Sequence, residues 1–320
     1  MKQPLDFQLE LYIIMNRLVI SEETNPYYNL ALEEELLKTV RNNETILYLW
    51  QNDKTVVIGR NQNPYLECNI DYMNENNIFL ARRISGGGAV FHDLANLNFT
   101  FVTKEENVDL EKQMKVLKLA VEGFGLKVEF SGRNDLLVNG RKFSGHAFYN
   151  EDGNYFHHGT LMVNVNVNIL GDVLNPSKLK LKSKGIKSVK SRVINLNELN
   201  NEITIESLKN SLEKAFEKIY GKISEKDIYN VNLKIPKFYD KYKNPLWNFG
   251  ESPKYDVILE EKLPIGNIQV NLNIENGIVK EGRIHSDTLK NIDFKNIEEK
   301  LIGKIFLKDN ILNIIKEDLM

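Results

Sequence analysis

Arg82-Arg83-Ile84-Ser85-Gly86-Gly87-Gly88-Ala89-Val90-Phe91-His92-Asp93 is the stretch around which the chain is organised. Three consecutive glycines free the backbone from Cβ contacts, so it can reach φ > 0 and approach a ligand closely. The two arginines upstream offer planar forks to phosphate or carboxylate. Such a loop suits an anion. It is not a P-loop, because no Gly-Lys-Ser/Thr follows. Nor is it the dinucleotide-binding fingerprint, because the sixth position counted from Gly86 is Phe91 rather than glycine. The plain alternative is a glycine-rich hairpin with two exposed arginines.

Around this loop lie 320 residues, enough for one large domain or for a large and a small one, each with its own core. The chain is 42% hydrophobic and 27% charged, as in a soluble globular protein. Its formal net charge of -2 gives no bulk attraction to nucleic acid, so partners must be recognised locally. Cys68 is the single cysteine, which excludes an intrachain disulfide framework and fits a reducing cytoplasm. No apolar run approaches a membrane span. Leu11-Tyr12-Ile13-Ile14-Met15 is too short and follows Asp6 and Glu10, so it resembles neither a signal peptide nor an anchor; Met15 is a second candidate start.

Asn25-Pro26 predicts a helix start, with Tyr28, Leu32 and Leu36 as the buried stripe and Glu34 with Lys38 as an exposed pair. Residues 46–50 and 55–59 read as strands joined across Gln51-Asn52-Asp53-Lys54, and residues 78–81 as a strand delivering the chain into the glycine loop. Residues 98–102 read as the returning strand. Met114, Leu117, Val121 and Phe124 mark a helix stopped by Gly125, and Ile205, Leu208, Leu212, Phe216 and Ile219 mark another ended by Gly221. The passage from Pro236 to Pro253 reads as the closing turn of a large domain. Beyond it, Ile268, Val270, Leu272 and Ile274 alternate, Asn276-Gly277 makes a hairpin, and residues 292–302 look helical, which together make a small α/β module.

The second informative stretch is Asn134-Asp135-Leu136-Leu137-Val138-Asn139-Gly140-Arg141-Lys142-Phe143-Ser144-Gly145. Asn-Gly between apolar runs predicts a two-residue type I′ turn, which pairs Val138 with Arg141, Leu137 with Lys142 and Asp135 with Ser144. Alternation then puts Asp135, Leu137, Lys142 and Ser144 on one face, looking into a site, and Leu136, Val138 and Phe143 on the core face. Phe156 to Val163 continues as a strand in which Leu161, Val163, Val165 and Val167 form a buried face. The adjacent His157 and His158 point to opposite sides, a poor arrangement for two metal ligands, and at least one is a structural histidine. The basic segment from Lys178 to Arg192 is either a solvated loop or a cover for phosphates or an acidic partner.

Taken together, these stretches resemble the lipoate-protein ligases. The resemblance rests on Arg82-Arg83 and Ser85 to Asp93, Asn134-Asp135 with Lys142-Phe143-Ser144-Gly145, His157-His158-Gly159-Thr160-Leu161, Trp247 to Pro253, and Gly277, Gly282 and Ser286-Asp287. It implies an α+β fold: a large mixed-sheet domain like the catalytic domain of biotin and lipoate ligases, residues 1–252, and a small accessory domain, residues 253–320. It also implies ATP-dependent activation of lipoate as lipoyl-adenylate. The lipoyl group would pass to a lysine of a lipoyl domain in a 2-oxoacid dehydrogenase E2 subunit or of the glycine cleavage H protein. In that pattern Arg83, Gly88, Ala89, Val90, Phe91 and Lys142 contact ATP, while Lys142, Arg82, Ser85, Gly86, Gly87 and His158 contact lipoate. Magnesium is expected, with ligands left unassigned. Phe143 and His146 are bulky for the lysine motif.

The chemistry asks for this inventory. A carboxylate of pKa about 4 to 5 is already ionised at neutral pH, so the first step needs two anions aligned and their charge stabilised, not a base. Lys142 is the expected bridge. An acceptor lysine is only about one part in two thousand neutral at pH 7, so the second step gains from a proton acceptor, and Asp135 is the candidate. It could instead orient Lys142 or hold magnesium. Two rivals remain at this level: a transferase of the same fold using a cysteine nucleophile and no ATP, and a non-catalytic lipoate-binding protein.

Overall fold

The computed structural model describes residues 15–131, 135–174, 192–249, 257–275 and 277–319. Its strands are β1 (Met15–Ser21), β2 (Glu44–Trp50), β3 (Thr55–Ile58), β4 (Phe79–Arg82), β5 (Val90–His92), β6 (Asn96–Lys104), β7 (Val128–Ser131), β8 (Asp135–Val138), β9 (Arg141–Glu151), β10 (Asn154–Met162), β11 (Glu225–Tyr229), β12 (Val257–Leu263), β13 (Gly266–Glu275) and β14 (Ile278–Ser286). Eight of them form one sheet in the order β11-β1-β2-β6-β10-β9-β8-β7. β1 runs parallel to both neighbours, and the remaining pairs are antiparallel. This is the mixed α+β architecture expected.

Alternation along the central strands divides the core in two. On one side of the sheet Leu47 and Leu49 of β2 and Leu97, Phe99 and Phe101 of β6 meet the helices Leu110–Glu122 and Ile205–Tyr220. On the other side Ile46, Tyr48 and Trp50 meet the helix Pro26–Thr39 through Tyr28, Leu32 and Leu36. Both faces of β2 are therefore covered, and all seven of its residues are buried. On that second face β6 carries Asn98 and Thr100, and this polar strip supports the site.

The helix Pro26–Thr39 starts as expected, with the Asn25 side chain accepting from Tyr27 N and Tyr28 N and Pro26 in the first turn. The expected exposed pair is a correction. Glu34 is buried and bonds Lys241 at 2.7 Å, because residues 234–243 pack over this helix face, while Lys38 reaches Glu151 at the end of β9 at 2.5 Å. Strand β3 also leaves the sheet of β2. It pairs with β4 (parallel) and β5 (antiparallel) in a separate three-stranded sheet, so the glycine loop connects β4 to β5 rather than to the long strand β6.

The hairpin turn holds: Asn139 and Gly140 have φ of 53° and 70°. Its register holds only next to the turn. Val138 faces Arg141 and Leu137 faces Lys142, but a bulge then pairs Leu136 with Ser144 and Asp135 with Gly145. Phe143 is the additional residue, and its fully buried ring shares the core with Leu136 and Val138. Strand β10 ends at Met162, so Val163 and Val165 are buried from a loop and Val167 starts a 3-10 turn. The passage after Pro236 is not a simple turn but two short helices, Tyr239–Lys243 and Pro245–Phe249. Residues 250–253, Asn134, Asn276 and Lys178 to Lys190 lie outside the described residues.

The C-terminal part is a sheet in the order β12-β13-β14, covered by the helices Lys295–Leu301 and Lys308–Leu319 around Ile268, Val270, Leu272, Leu301, Ile311 and Ile315. Gly277, at φ 76°, leads into β14. The segment after β14 returns to the large part. Ser286 N donates to Asn61 O at 2.8 Å, and Gly87 N donates to Thr288 O at 2.7 Å.

Candidate active site

The glycine loop is held between two backbones. A Cβ on Gly86 would lie 2.1 Å from Thr288 O, and a Cβ on Gly59 would lie 2.2 Å from Gly87 O, so both positions need the bare backbone. Gly87 itself has φ 95°. β5 is an edge strand of its sheet, and its outer row of N–H groups follows directly on the loop. Together these supply backbone donors for an anion, with the side chains of Val90 and Phe91 directed into apolar clusters.

The arginines serve this loop from inside. Arg82 donates from Nε to Trp247 O at 2.9 Å, from Nη1 to Gly59 O, Arg60 O and Gln62 O at 3.2, 2.8 and 2.7 Å, and from Nη2 to Asn248 O at 3.0 Å. The helix Pro245–Phe249 answers, since Trp247 Nε1 donates to Arg82 O and Asn248 Oδ1 accepts from Arg82 N. The Arg82 fork is thereby committed to carbonyls and braces the loop. Arg83 donates to Ser85 Oγ and to the carbonyls of Val57, Gly86 and Gly88 at 2.8 to 3.1 Å. Burial pulls both guanidinium groups down to about 10, opposed at Arg83 by the charge of Glu33, so both stay cationic at neutral pH.

Lys142 and Asp135 meet as the sequence suggests, by a route it does not show. The bulge sets Asp135 opposite Gly145, and the Lys142 side chain lies over that glycine to reach Asp135 Oδ1 at 2.6 Å. A Cβ on Gly145 would come within 2.8 Å of Lys142 Nζ. The pair is partly shielded, with side chains 36% and 28% exposed. Lys142 is also fixed through its backbone, donating to Arg192 O and accepting from Ile194 N at 2.9 Å each. That places Arg192, the end of the basic segment, beside the lysine. Gly145 N donates to Thr160 Oγ1, and Gly159 sits against Gly145 O, so Lys142 is one strand away from the histidine strand. Gly145→Ala is expected to push the ammonium off Asp135 and to lower adenylation roughly tenfold with melting temperature preserved, because a flexible lysine end yields more easily than a packed sheet. Steady-state kinetics beside thermal denaturation check this.

The two histidines separate as expected. His158 Nε2 lies 2.9 Å from Ser85 Oγ, beneath the glycine loop, and its Nδ1 lies 2.8 Å from Glu33 Oε1. His157 lies on the other face between Phe99, Phe101 and Phe148, in a hydrogen-bonded row Gln113–His157–His146–Ser144. Burial pushes His146 down to about 3 and His157 well below its usual value, so both are neutral core residues. His146 thus has a buried partner set that accounts for its bulk. Sequence reasoning missed Glu33, Trp247 and Asn248 as supports of the loop. Among the described residues no three His, Cys, Asp or Glu side chains are grouped to hold a metal ion. Asp135 is already paired with Lys142, and magnesium keeps water and phosphate ligands rather than a protein cage. Cys68 is buried, and burial pushes its thiol up to about 12, far from a nucleophilic thiolate.

Residues 25–217 match the lipoyl protein ligase A/B catalytic domain, and residues 252–318 match the bacterial lipoate protein ligase C-terminus. The chain is 40% identical over 296 residues to the lipoate-protein ligase A of Blochmanniella floridana, covering 90% of this chain and 88% of that protein. Among solved structures, the P. falciparum LipL1 complex with lipoate superposes with a TM-score of 0.77 at 32% identity, covering 94% of each chain. A lipoate-protein ligase A bound with ATP superposes with a TM-score of 0.63 at 26% identity, covering 74% of this chain and 99% of that one. With a catalytic-domain match over more than half its length and a relative this similar end to end, the chain belongs to the lipoate-protein ligase family.

Proposed function

We propose that this protein activates lipoate with ATP and transfers the lipoyl group to a protein lysine. The observation that carries this reading is the Lys142–Asp135 pair, 2.6 Å apart, one strand from the Ser85–His158 contact under the glycine loop. A carboxylate oxygen of lipoate attacks the α-phosphorus, the bond to pyrophosphate breaks, and lipoyl-adenylate forms. Lys142 reduces the repulsion between the two anions, and the loop and the β5 edge offer N–H groups to the phosphates. Magnesium, when bound with the nucleotide, would withdraw charge from phosphate oxygens. Arg82 and Arg83 act by keeping the loop in shape.

In the second step an acceptor lysine amine attacks the acyl carbon, the bond to AMP breaks, and the amine loses a proton. Asp135 is the proposed proton acceptor. Asp135→Asn is expected to slow transfer from preformed lipoyl-adenylate by on the order of a hundredfold, the usual size of a general-base contribution. Unchanged transfer would assign Asp135 to lysine orientation instead. The acceptors are lipoyl domains of 2-oxoacid dehydrogenase E2 subunits or the glycine cleavage H protein, in the cytoplasm, and the chain divides into a catalytic part, 1–252, and an accessory part, 253–320. Mass spectrometry of an acceptor domain incubated with this protein, lipoate and magnesium tests the function. A lipoyl mass gain only with ATP supports it. Gain only from an acylated donor indicates a transferase, and no gain indicates a binder.

A further inference from the structure

Two hydrogen-bond chains end on one carboxylate oxygen beneath the glycine loop. From one side Trp50 Nε1 donates to Thr100 Oγ1 at 3.0 Å, and Thr100 Oγ1 donates to Glu33 Oε1 at 2.6 Å. From the other, Arg83 Nε donates to Ser85 Oγ at 3.1 Å, Ser85 Oγ lies 2.9 Å from His158 Nε2, and His158 Nδ1 lies 2.8 Å from the same Glu33 oxygen. All six side chains are buried. The ends of these chains are one-way groups, because an indole N–H and a guanidinium only donate and a carboxylate only accepts. That fixes the direction of the bonds they make, including a proton on His158 Nδ1 facing Glu33. With the Nδ1 proton donated to Glu33, a ring carrying a single proton leaves Nε2 bare to accept from Ser85 Oγ, which itself accepts from Arg83.

Arg83 continues the chain into the loop, with Nη2 donating to Gly86 O and Gly88 O at 2.8 Å each. A carboxylate on the first helix is thus linked, through one imidazole and one hydroxyl, to a guanidinium that bonds the loop backbone. We propose that Glu33 is a positioning residue of the adenylating site: it fixes the His158 tautomer, directs the Ser85 proton, and so holds Arg83 and the loop in the arrangement that receives the anionic substrates. This rests on the reading of the loop as the site of acyl activation. Without Glu33 the ring reverts to the Nε2–H form favoured by a free imidazole, two protons then meet between Nε2 and Ser85 Oγ, and the hydroxyl turns away.

The test uses the full chain with ¹⁵N-labelled histidine, long-range ¹H–¹⁵N spectra at pH 8, and His158→Gln for assignment. A His158 ring with its proton on Nδ1 and Nε2 bare is expected in the wild type. A ring protonated at Nε2 overturns the proposal whatever the catalytic result. In Glu33→Ala the ring is expected to switch to Nε2–H and single-turnover adenylation to fall at least about tenfold, as for other residues that orient a site histidine. Folded Glu33→Ala with wild-type adenylation overturns the proposal. In Glu33→Gln the amide oxygen can accept both bonds, so the Nδ1–H form and a rate within about threefold of wild type are expected. A retained tautomer with a collapsed rate, or a lost tautomer with an intact rate, overturns the proposal even if Glu33→Ala does not fold. Failure of the wild type to form any adenylate would instead overturn the functional reading, and the spectrum would still judge the tautomer.

Discussion

Lys142→Ala is expected to lose adenylate formation by roughly a hundredfold or more, the effect of removing one preorganised charge-stabilising donor, and the loss is compounded by leaving Asp135 unopposed beside two anions. The fold is expected to survive. The ammonium is partly exposed, the fully buried neighbours Leu136, Val138 and Phe143 are untouched, and the backbone bonds of residue 142 to Arg192 and Ile194 do not depend on its side chain. Pyrophosphate release and far-ultraviolet circular dichroism measured on the same sample separate the two outcomes. A variant that adenylates at the wild-type rate would remove Lys142 from the chemistry.

Arg82→Ala has its largest effect on stability. Five carbonyls, those of Gly59, Arg60, Gln62, Trp247 and Asn248, would lose the guanidinium together in a buried setting, with Gly59 O keeping its bond from Gln62 N. An unfolding free-energy loss of about 3 to 5 kcal/mol is expected, comparable to breaking a buried charged network. For a domain of this size the melting temperature should fall by roughly 10 °C. Arg82→Lys is expected to recover little, because one ammonium cannot serve the positions that a planar fork reaches. Unchanged melting with a selectively raised KM for lipoate would return Arg82 to direct ligand contact.

What could be read from the chain depends on how far away each deciding contact lies. Asn139-Gly140 sets its turn locally, so the hairpin and the closeness of Asp135 to Lys142 were legible. The bulge was not, because it arises from Phe143 seeking the core shared by two helices more than twenty residues away in either direction along the chain. Arg82 and Arg83 read as anion forks because side-chain type was visible and partners were not; the carbonyls that occupy Arg82 come from residues on either side of it, 59 to 62 and 247 to 248. β5 has three residues, too few for any periodicity to register. Glu33 did leave a trace. Three consecutive acids on a helix turn about 100° each, so Glu33, Glu34 and Glu35 cannot share one solvated face, and the structure buries all three. The likeness to lipoate ligases carried the functional assignment further than the loop alone, since an ordered set of motifs does not depend on the role of any one residue.

The most direct measurement of the central claim omits the acceptor: the protein is mixed with ATP, magnesium and lipoate, quenched, and the small molecules are separated and weighed. Lipoyl-adenylate in an amount comparable to the enzyme, with matching pyrophosphate and neither in Lys142→Ala, is the predicted result. ATP left intact, together with lipoyl transfer from an acylated donor at an ATP-independent rate, would contradict it.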